Sequence, residues 1–469
     1  SDATLRCGRS IGEAPRAALV EMLQVSPLDR PYAGLAIIRE VCSDESPARL
    51  ARELLEQWVL GDLPGRHEWM LFASAHFPSV EGTRRIISLA REWARKNAPK
   101  ASRLCVALAA IGSDAALMAL AHIADTTRYA ALAKEVRALV EGVAEGRGLT
   151  RDELGDRTVP DLGLDAGGTL SLSFGARAFE VGLDETLSAV VREKLASGLG
   201  PPSALFPRAQ KTDDAALAKA ARERFDALKS DLAAVAQRQL RRLERAMVEG
   251  RAWTPADFRE HLAGHPLMGR LARRLVWEAA PERGRSRTFR VAEDGSLADK
   301  TDHAFSLDGE DMVRLAHPAR TPAVSTVWAK VFGDYEFIQP FEQIARVVHA
   351  LDAGERAATS LARAAGTKVA PKKMLGVLES RGWVRDSAGY VTAFTREVRR
   401  RDGARLTARL SVTPEIEIAD LRRAGNVETG ALTVESPGEG TAVALGELDV
   451  VSSSELWADV LALSRSSRD

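Results

Sequence analysis

The side chains best suited to metal chemistry are His261 and His265, which lie four residues apart and would share one face of a helix. A zinc-protease helix carries Glu directly after its first His as the general base, and Leu262 occupies that position here. Gly264 and Pro266 also interrupt the helical pattern. We therefore predict that His265 is a turn or capping residue and that this segment binds no metal.

Other chemical motifs lack the spacing that their chemistry requires. The acidic segment Asp308–Asp311 does not have the twelve-residue ligand pattern of a calcium loop, so we predict a solvated turn. The sequence contains no phosphate-binding loop, no dinucleotide fingerprint and no nucleophile elbow. No cofactor is predicted. Whether the chain is an enzyme stays open, because catalytic groups can assemble from distant positions.

The spacing of the cysteines and the first residues of the chain indicate in which cellular compartment the protein is located. Cys7, Cys42 and Cys105 are far apart, and none has a second Cys or a His at ligand spacing, so neither a disulfide framework nor a zinc site is predicted. The chain begins Ser-Asp-Ala-Thr without a secretory pattern, and we expect a processed or truncated start. No apolar run approaches the roughly 18–20 residues of a membrane span. These features predict a cytoplasmic protein with reduced thiols.

Charge is distributed unevenly along a chain whose 65 basic and 65 acidic residues balance. Segments 235–290 and 368–401 hold 13 basic against 6 acidic and 9 basic against 3 acidic residues, whereas 410–469 holds 4 basic against 11 acidic. The opposed blocks either pair with each other across an interface or leave a basic face for nucleic acid or another anionic partner.

The first part of the chain is patterned as consecutive helices. Apolar residues recur three and four positions apart from residue 14 to about residue 148. Ala- and Leu-rich segments joined by tight turns are typical of stacked helical hairpins of the HEAT type, the alternative being an irregular helical bundle. The predicted helices are Ala14–Gln24, Tyr32–Cys42, Ser46–Leu60, Trp69–Ala75, Ser79–Lys96, Ala98–Ala110, Asp114–Ala124 and Tyr129–Glu145.

The pattern changes after residue 156. Alternating apolar and polar residues from Leu170 to Leu183 predict a β-hairpin. A heptad-like apolar series then predicts a long helix over 213–249, capped by Thr212 or Asp213 and closed by Gly250.

Further helices are predicted at Phe341–Leu351 and Glu355–Ala365. In the last third, Ala357–Ala365 and Pro371–Arg381 resemble a helix-turn-helix, with Trp383–Thr395 as its wing. The predicted fold class is mainly α with an α+β part. HEAT-like repeats would span 1–148, a mixed α/β domain 149–352, and a winged-helix-like, β-rich region 353–469.

Several separated segments, in their order along the chain, match a known pattern: Leu154–Asp165, Arg251–Pro255, His265–Leu267, Leu275–Trp277, Phe289–Leu297 and Phe332–Phe341. Together they resemble a bacterial domain of unknown function that often follows a WGR domain and helical repeats. The molybdate metabolism regulators of the MolR type belong to that group. The resemblance covers residues 148–463 and implies this architecture, but it brings no reaction or ligand residue to carry over, and the chain contains no WGR tripeptide.

The first predicted function is a non-enzymatic interaction or regulatory protein that uses helical repeats and a basic face. A protein partner is favoured, nucleic acid is a second partner, and no membrane contact is predicted. On a winged helix, basic side chains of the second helix and the wing would reach phosphates. The candidate nucleic-acid-binding residues are Lys372, Lys373, Arg381 and Arg385.

The alternative is an enzyme of unknown reaction with its site in the domain that carries the resemblance. Polar residues of the resembling segments would then line a cleft. The candidate cleft residues are Asp156, Arg157, Asp161, Asp334 and Gln339. A pocket that joins them favours the enzyme, whereas their use in paired structural contacts favours a scaffold.

Overall fold

A computed structural model describes residues 12–465 except positions 44, 166, 185, 282–284, 422–424 and 439. The chain divides into two compact units, Ser1–Gly163 and Leu164–Asp469. About 48% of the structure is helical and about 18% is strand, with helices first and an α+β region after them. The coarse fold class is thereby confirmed, while domain boundaries near residues 148 and 352 stay predictions.

The first unit consists of helices, and its described residues form no strand. All eight predicted helices are present, with ends shifted by a few residues, and a ninth follows them. They are α1 Glu13–Gln24, α2 Gly34–Val41, α3 Glu45–Leu60, α4 Glu68–His76, α5 Val80–Trp93, α6 Ala98–Ile111, α7 Asp114–Thr126, α8 Ala130–Gly146 and α9 Arg151–Arg157, with a 3₁₀ turn at Gly65–His67.

Local capping sets several of these boundaries. The side chains of Ser79, Asn97 and Ser113 each accept a backbone N–H from the first turn of the following helix. Gly112 ends α6 in the left-handed region at φ 63°, which glycine adopts without strain from a Cβ atom.

The helices of the first unit pack in successive pairs. Helix α3 packs on α4, α5 on α6 and α7 on α8, while α5 also contacts α7 and α6 also contacts α4 and α8. The fully buried side chains of Leu71, Ile86, Leu104, Leu108 and Leu120 fill the space between them. Each pair thus buries its apolar side chains against its neighbours, as stacked hairpins require.

The second unit begins with an antiparallel sheet of four strands in chain order. These are β1 Leu170–Ser173, β2 Ala178–Leu183, β3 Ala189–Leu195 and β4 Gly198–Leu199. The predicted hairpin is confirmed, with Leu172 opposite Phe179. The third strand was not predicted.

The long helix α10 spans Ala215–Val248 and packs on β1 and β3. Its N-cap is Asp214, whose side chain accepts N–H groups of the first turn, so the predicted caps Thr212 and Asp213 are wrong. Asp213 is instead used by an ion pair with Arg177 at 2.7 Å. Gly250 closes the helix as predicted, at φ 63°.

A five-stranded sheet with the order β5-β9-β6-β7-β8 follows. Short helices and two π-helical turns, Phe258–Ala263 and Val324–Trp328, connect its strands. The elements are β5 Ala252–Trp253, α11 Pro255–Asp257, α12 Met268–Ala272, β6 Trp277–Ala280, β7 Arg287–Val291, β8 Leu297–Ala298, β9 Met312–Leu315 and α13 Ala329–Asp334.

The last sheet has the order β10-β15-β14-β13-β12, with β11 also paired to β15. Residues of its strands, of α15 and of α16 share one core, which contains Trp383, Phe394 and Leu456. The elements are α14 Ala353–Ala357, β10 Ser360–Leu361, β11 Lys368–Val369, α15 Pro371–Ser380, β12 Val384–Arg385, β13 Tyr390–Arg399, β14 Arg405–Glu417, β15 Val427–Glu435 and α16 Val450–Arg465, with 3₁₀ turns at Ala362–Ala364, Ile418–Asp420 and Leu445–Glu447.

Two predicted helices of the second unit are wrong. Segment Phe341–Leu351 has no regular secondary structure, because the buried Gln343 side chain bonds to backbone groups of Val276 and Ala316. Segment Glu355–Ala365, which includes the expected first helix Ala357–Ala365 of the helix-turn-helix, holds only the end of α14, a 3₁₀ turn and β10. The pairing of β10 with β15 replaces helical hydrogen bonds there.

No described helix combines the length and the apolar run that crossing a membrane requires.

Candidate functional site

The two lysines at the start of α15 have open surroundings. Lys372 is exposed and Lys373 half-buried, directly after Pro371 in the first helical turn. Neither forms an ion pair with any residue that the structure describes. Both ammonium groups are therefore available to an anionic partner.

The other two predicted basic residues are neutralised within the fold. Arg381 Nη1 lies 3.0 Å from Asp459 Oδ1, and Arg385 Nε lies 2.6 Å from Glu379 Oε1. The predicted set of four thus divides into two free lysines and two paired arginines.

Asp459 shows how tightly the acidic C-terminal helix is held. This carboxylate of α16 is 1% exposed and accepts hydrogen bonds from Arg381, Arg396 and the Trp383 indole N–H. Burial raises the pKa of Asp459, and the charges of Arg396 and Arg381 and the indole hydrogen bond offset this only in part. Removal of one cation would leave a poorly solvated charge, so the cluster holds α16 against the sheet.

A second cluster lies one turn earlier on the same helix. Glu455 receives two hydrogen bonds from Arg346, at 2.7 and 2.6 Å, and lies 3.1 Å from His317 Nε2. Asp449, just before α16, pairs with Arg320 at 3.2 Å. Of these contacts, only those of Asp459 with Arg381 and Arg396 pair the acidic segment with a basic segment, as the first interpretation of the charge pattern predicts, because Arg346 and Arg320 lie outside both basic segments.

The candidate cleft residues of the first unit all have interaction partners. Asp156 lies in α9 and is buried, Arg157 ends that helix, and both have interaction partners. Asp161 Oδ1 accepts the backbone N–H of Gly163 at 2.8 Å, which fixes a turn. Asp161 therefore has a structural role in this turn.

The candidate cleft residues of the second unit have different surroundings. Gln339 is committed to the loop that follows α13, because its side chain accepts the N–H of Ile344 at 2.8 Å and donates to Gln343 at 3.0 Å. Asp334 is exposed and lines a surface groove of about 510 Å³.

The histidine and acidic segments have structural roles. His265 Nδ1 accepts the N–H groups of Leu267 and Met268 at 3.2 Å, so the predicted capping role is confirmed. The predicted solvated turn is wrong for Asp311, which is 1% exposed and pairs with Arg287 at 3.0 Å. Within the part of the chain that the structure describes, no group of three or more His, Cys, Asp or Glu could hold a metal ion.

Comparison with known proteins finds that part of the second unit is similar to a sequence family. Residues 200–383 match a domain of unknown function, DUF4132. The chain is also 31% identical over 380 residues to the "Uncharacterized protein YehI" of Escherichia coli strain K12, which covers 80% of this chain. This chain spans only 31% of the length of that curated relative. No solved structure matches the chain.

Most of the segments that carried the resemblance lie inside the DUF4132 match, whereas Leu154–Asp165 precedes it. Neither description names a WGR or MolR group, a reaction or a ligand.

A basic stripe outside the DUF4132 match was missed by the sequence analysis. Arg84 and Arg91 are exposed on α5, two helical turns apart, and Arg95 is exposed in the turn that follows. None of the three has an ion pair with a described residue, in contrast to Arg85, which pairs with Glu56 at 2.8 Å. The sequence signal for this stripe was the seven-residue spacing of Arg84 and Arg91 within a predicted helix, which places both side chains on one helix face.

Proposed function

We propose that this chain is a non-enzymatic interaction protein whose first unit is a HEAT-like stack that binds an acidic segment of a partner protein. The observation that carries the proposal is the arginine stripe, defined as Arg84, Arg91 and Arg95. These three exposed arginines follow one face of α5 and its end, and none has a carboxylate partner among the described residues. The stacked pairs around α5 provide the extended surface that helical-repeat proteins use for binding.

The stripe suits a short acidic peptide better than a long phosphate backbone. Arg84 and Arg91 are separated by about 10 Å along the helix, and each guanidinium can bind a carboxylate in a bidentate geometry. Glu81 precedes the stripe and pairs with Arg52, and Glu92 lies between Arg91 and Arg95 in sequence and pairs with Lys96. These carboxylates limit the positive surface to a few residues of a bound strand or helix.

The test is a binding titration with a fluorescein-labelled Glu-rich peptide, followed by anisotropy at low and at physiological salt. Replacement of all three arginines (Arg84→Ala, Arg91→Ala and Arg95→Ala) should weaken binding by roughly tenfold, since each exposed ion pair contributes about 0.2–1 kcal/mol. The wild-type affinity should fall as salt rises, because exposed charges are screened.

The matched control removes three other exposed, unpaired cations of the same unit, Arg30, Arg66 and Lys134. The control variant has the same net charge as the stripe variant and should bind like the wild-type chain. If both triple variants lost the same affinity for the peptide, the effect would be one of net charge and the proposal would be refuted. The absence of peptide binding to the wild-type chain at low salt would also refute it.

A second candidate function is nucleic-acid binding by a winged-helix-like part of the last sheet. It is favoured by the free ammonium groups of Lys372 and Lys373 on a helix that is followed by the paired strands β12 and β13. The missing first helix and the paired state of Arg381 and Arg385 weigh against it.

The discriminating measurement is the salt dependence of duplex DNA binding. Replacement of Lys372 and Lys373 by Ala should lower the slope of log affinity against log salt by up to about two units, because each phosphate contact releases about 0.9 counterion. An unchanged slope, or no DNA binding at low salt, would exclude this function and leave the protein-binding proposal standing.

The enzyme alternative is less well supported. Of its candidate cleft residues, Asp161 and Gln339 are used in turn and loop contacts. The finer relation to MolR-type, WGR-associated proteins remains our proposal, supported by the segments that lie within residues 200–383.

A further inference from the structure

A surface groove of the second unit lies beside Asp334. One wall is the turn after β8, with Lys300, and the other is the helical segment 324–334, which contributes Val327 and Lys330. Its volume of about 510 Å³ lies within the usual range of small-molecule clefts, about 300–1,000 Å³. Its size therefore admits a metabolite rather than a folded partner.

The charged groups of this groove are of two kinds. Lys300 and Lys330 are exposed, and neither has an ion pair or hydrogen bond with any described residue. Asp302, in contrast, is fully engaged, with Arg290 Nη2 at 2.9 Å and the Tyr335 hydroxyl at 2.7 Å. Because Arg290 neutralises Asp302, the two lysines outweigh the one remaining carboxylate, Asp334.

The groove also has an apolar surface held in a fixed position. Val327 and Val331 are half-buried along its helical wall. The Arg290 guanidinium lies 4.6 Å from the centroid of the Tyr335 ring, and the Phe337 ring is stacked with Tyr335. These contacts restrict the Tyr335 ring before any ligand binds, which lowers the entropy cost of binding.

The backbone around the groove is irregular at three places. The wall begins with the π-helical turn Val324–Trp328, a feature frequent at functional sites. Asp302 and Glu336 have positive φ values of 60° and 55°. At Asp302 this conformation directs the carboxylate to Arg290 and Tyr335, so the turn that carries Lys300 is tied to the opposite wall.

We propose that this groove binds a small phosphorylated organic molecule, with the phosphate between Lys300 and Lys330 and the organic part against Val327, Val331 and Tyr335. A phosphomonoester carries about −1.5 to −2 charges near pH 7, which two ammonium groups match, and lysine binds phosphate as a point charge. The remaining Asp334 carboxylate disfavours ligands with additional phosphates.

The test uses the full chain and phenyl phosphate as a probe, with binding measured by isothermal titration calorimetry. The wild-type chain should bind phenyl phosphate more tightly than inorganic phosphate, because only the ester contacts the apolar wall, and should not bind phenol. The double variant Lys300→Ala/Lys330→Ala should lose at least about tenfold in affinity for phenyl phosphate.

The matched control is Lys211→Ala/Lys229→Ala, which removes two exposed, unpaired lysines elsewhere in the same unit. Circular dichroism of both double variants should equal that of the wild-type chain, since all four side chains lie at the surface. The proposal is overturned if the wild-type chain binds no phenyl phosphate, if both double variants lose affinity equally, or if inorganic phosphate binds as tightly as the ester.

Discussion

At the scale of single residues, Glu455 illustrates how the fold keeps a buried charge ionised. Its carboxylate is almost fully buried in α16. Burial alone raises the pKa, but hydrogen bonds from Arg346 and His317 and the charge of Arg346 outweigh it and bring the pKa of Glu455 to about 2. Arg346 is held in turn by Glu244 at 2.9 Å, and its own pKa is raised.

This depressed pKa predicts a specific dependence of stability on pH. Because the folded state binds the Glu455 proton more weakly than the unfolded chain does, the stabilisation is complete above the usual glutamate pKa and is lost as pH falls toward about 2. The shift corresponds to about 3 kcal/mol. In urea unfolding, Glu455→Gln should be less stable than the wild-type chain at neutral pH, and the difference should shrink as pH is lowered.

The control is Glu397→Gln, because Glu397 is exposed and its pair with Arg405 lies in solvent. This variant should stay within a few tenths of a kcal/mol of the wild-type chain. A difference in unfolding free energy between Glu455→Gln and the wild-type chain that did not change with pH would contradict the prediction. It would mean that Arg346 and His317 do not lower the pKa of Glu455 in the folded state.

At the scale of elements, the sequence predicted those structures whose determinants are local. Helices α5 to α7 have their apolar periodicity and their capping residues Ser79, Asn97 and Ser113 within the same segment. The hairpin of β1 and β2 likewise combines alternation with an adjacent turn, and both were predicted correctly.

The failures occurred where distant residues decide the local structure. The helical periodicity of Phe341–Leu351 is real, but Gln343 bonds to the backbone of Val276, 67 residues earlier. Ser360 and Leu361 pair with β15, more than 70 residues later. Such hydrogen bonds outweigh local helix propensity, and no periodicity reveals them.

The candidate sites follow the same division. Lys372 and Lys373 could be recognised as basic residues at the start of a helix, yet the partner of Arg381 is Asp459, 78 residues away. The groove residues Lys300 and Lys330 lie in two segments of unremarkable composition, which only the tertiary fold brings together.

At the scale of the whole molecule, the DUF4132 match and the structural unit have different boundaries. The matched residues 200–383 include α10, which packs on β9 inside the match but also on β1 and β3, which precede residue 200. They also include β10 to β11 and α15, whose partners β15 and α16 follow residue 383. The matched segment therefore lacks packing partners that precede it in the chain and packing partners that follow it.

These contacts predict how fragments of the chain behave. A fragment of residues 164–469 should unfold cooperatively in urea, because it contains the partners of all three sheets. A fragment of residues 200–383 should instead show no cooperative transition, since Trp383 loses the carboxylate of Asp459 and the core residues on β13 to β15 and α16 are absent.

Near-ultraviolet circular dichroism measures the tertiary packing of each fragment directly, because Trp253, Trp277, Trp328 and Trp383 are buried in the intact chain and present in both fragments. A structured near-ultraviolet spectrum and a cooperative transition for 200–383 would mean that the segment folds without the third sheet, and the clusters around Asp459 and Glu455 would then join two separate folding units.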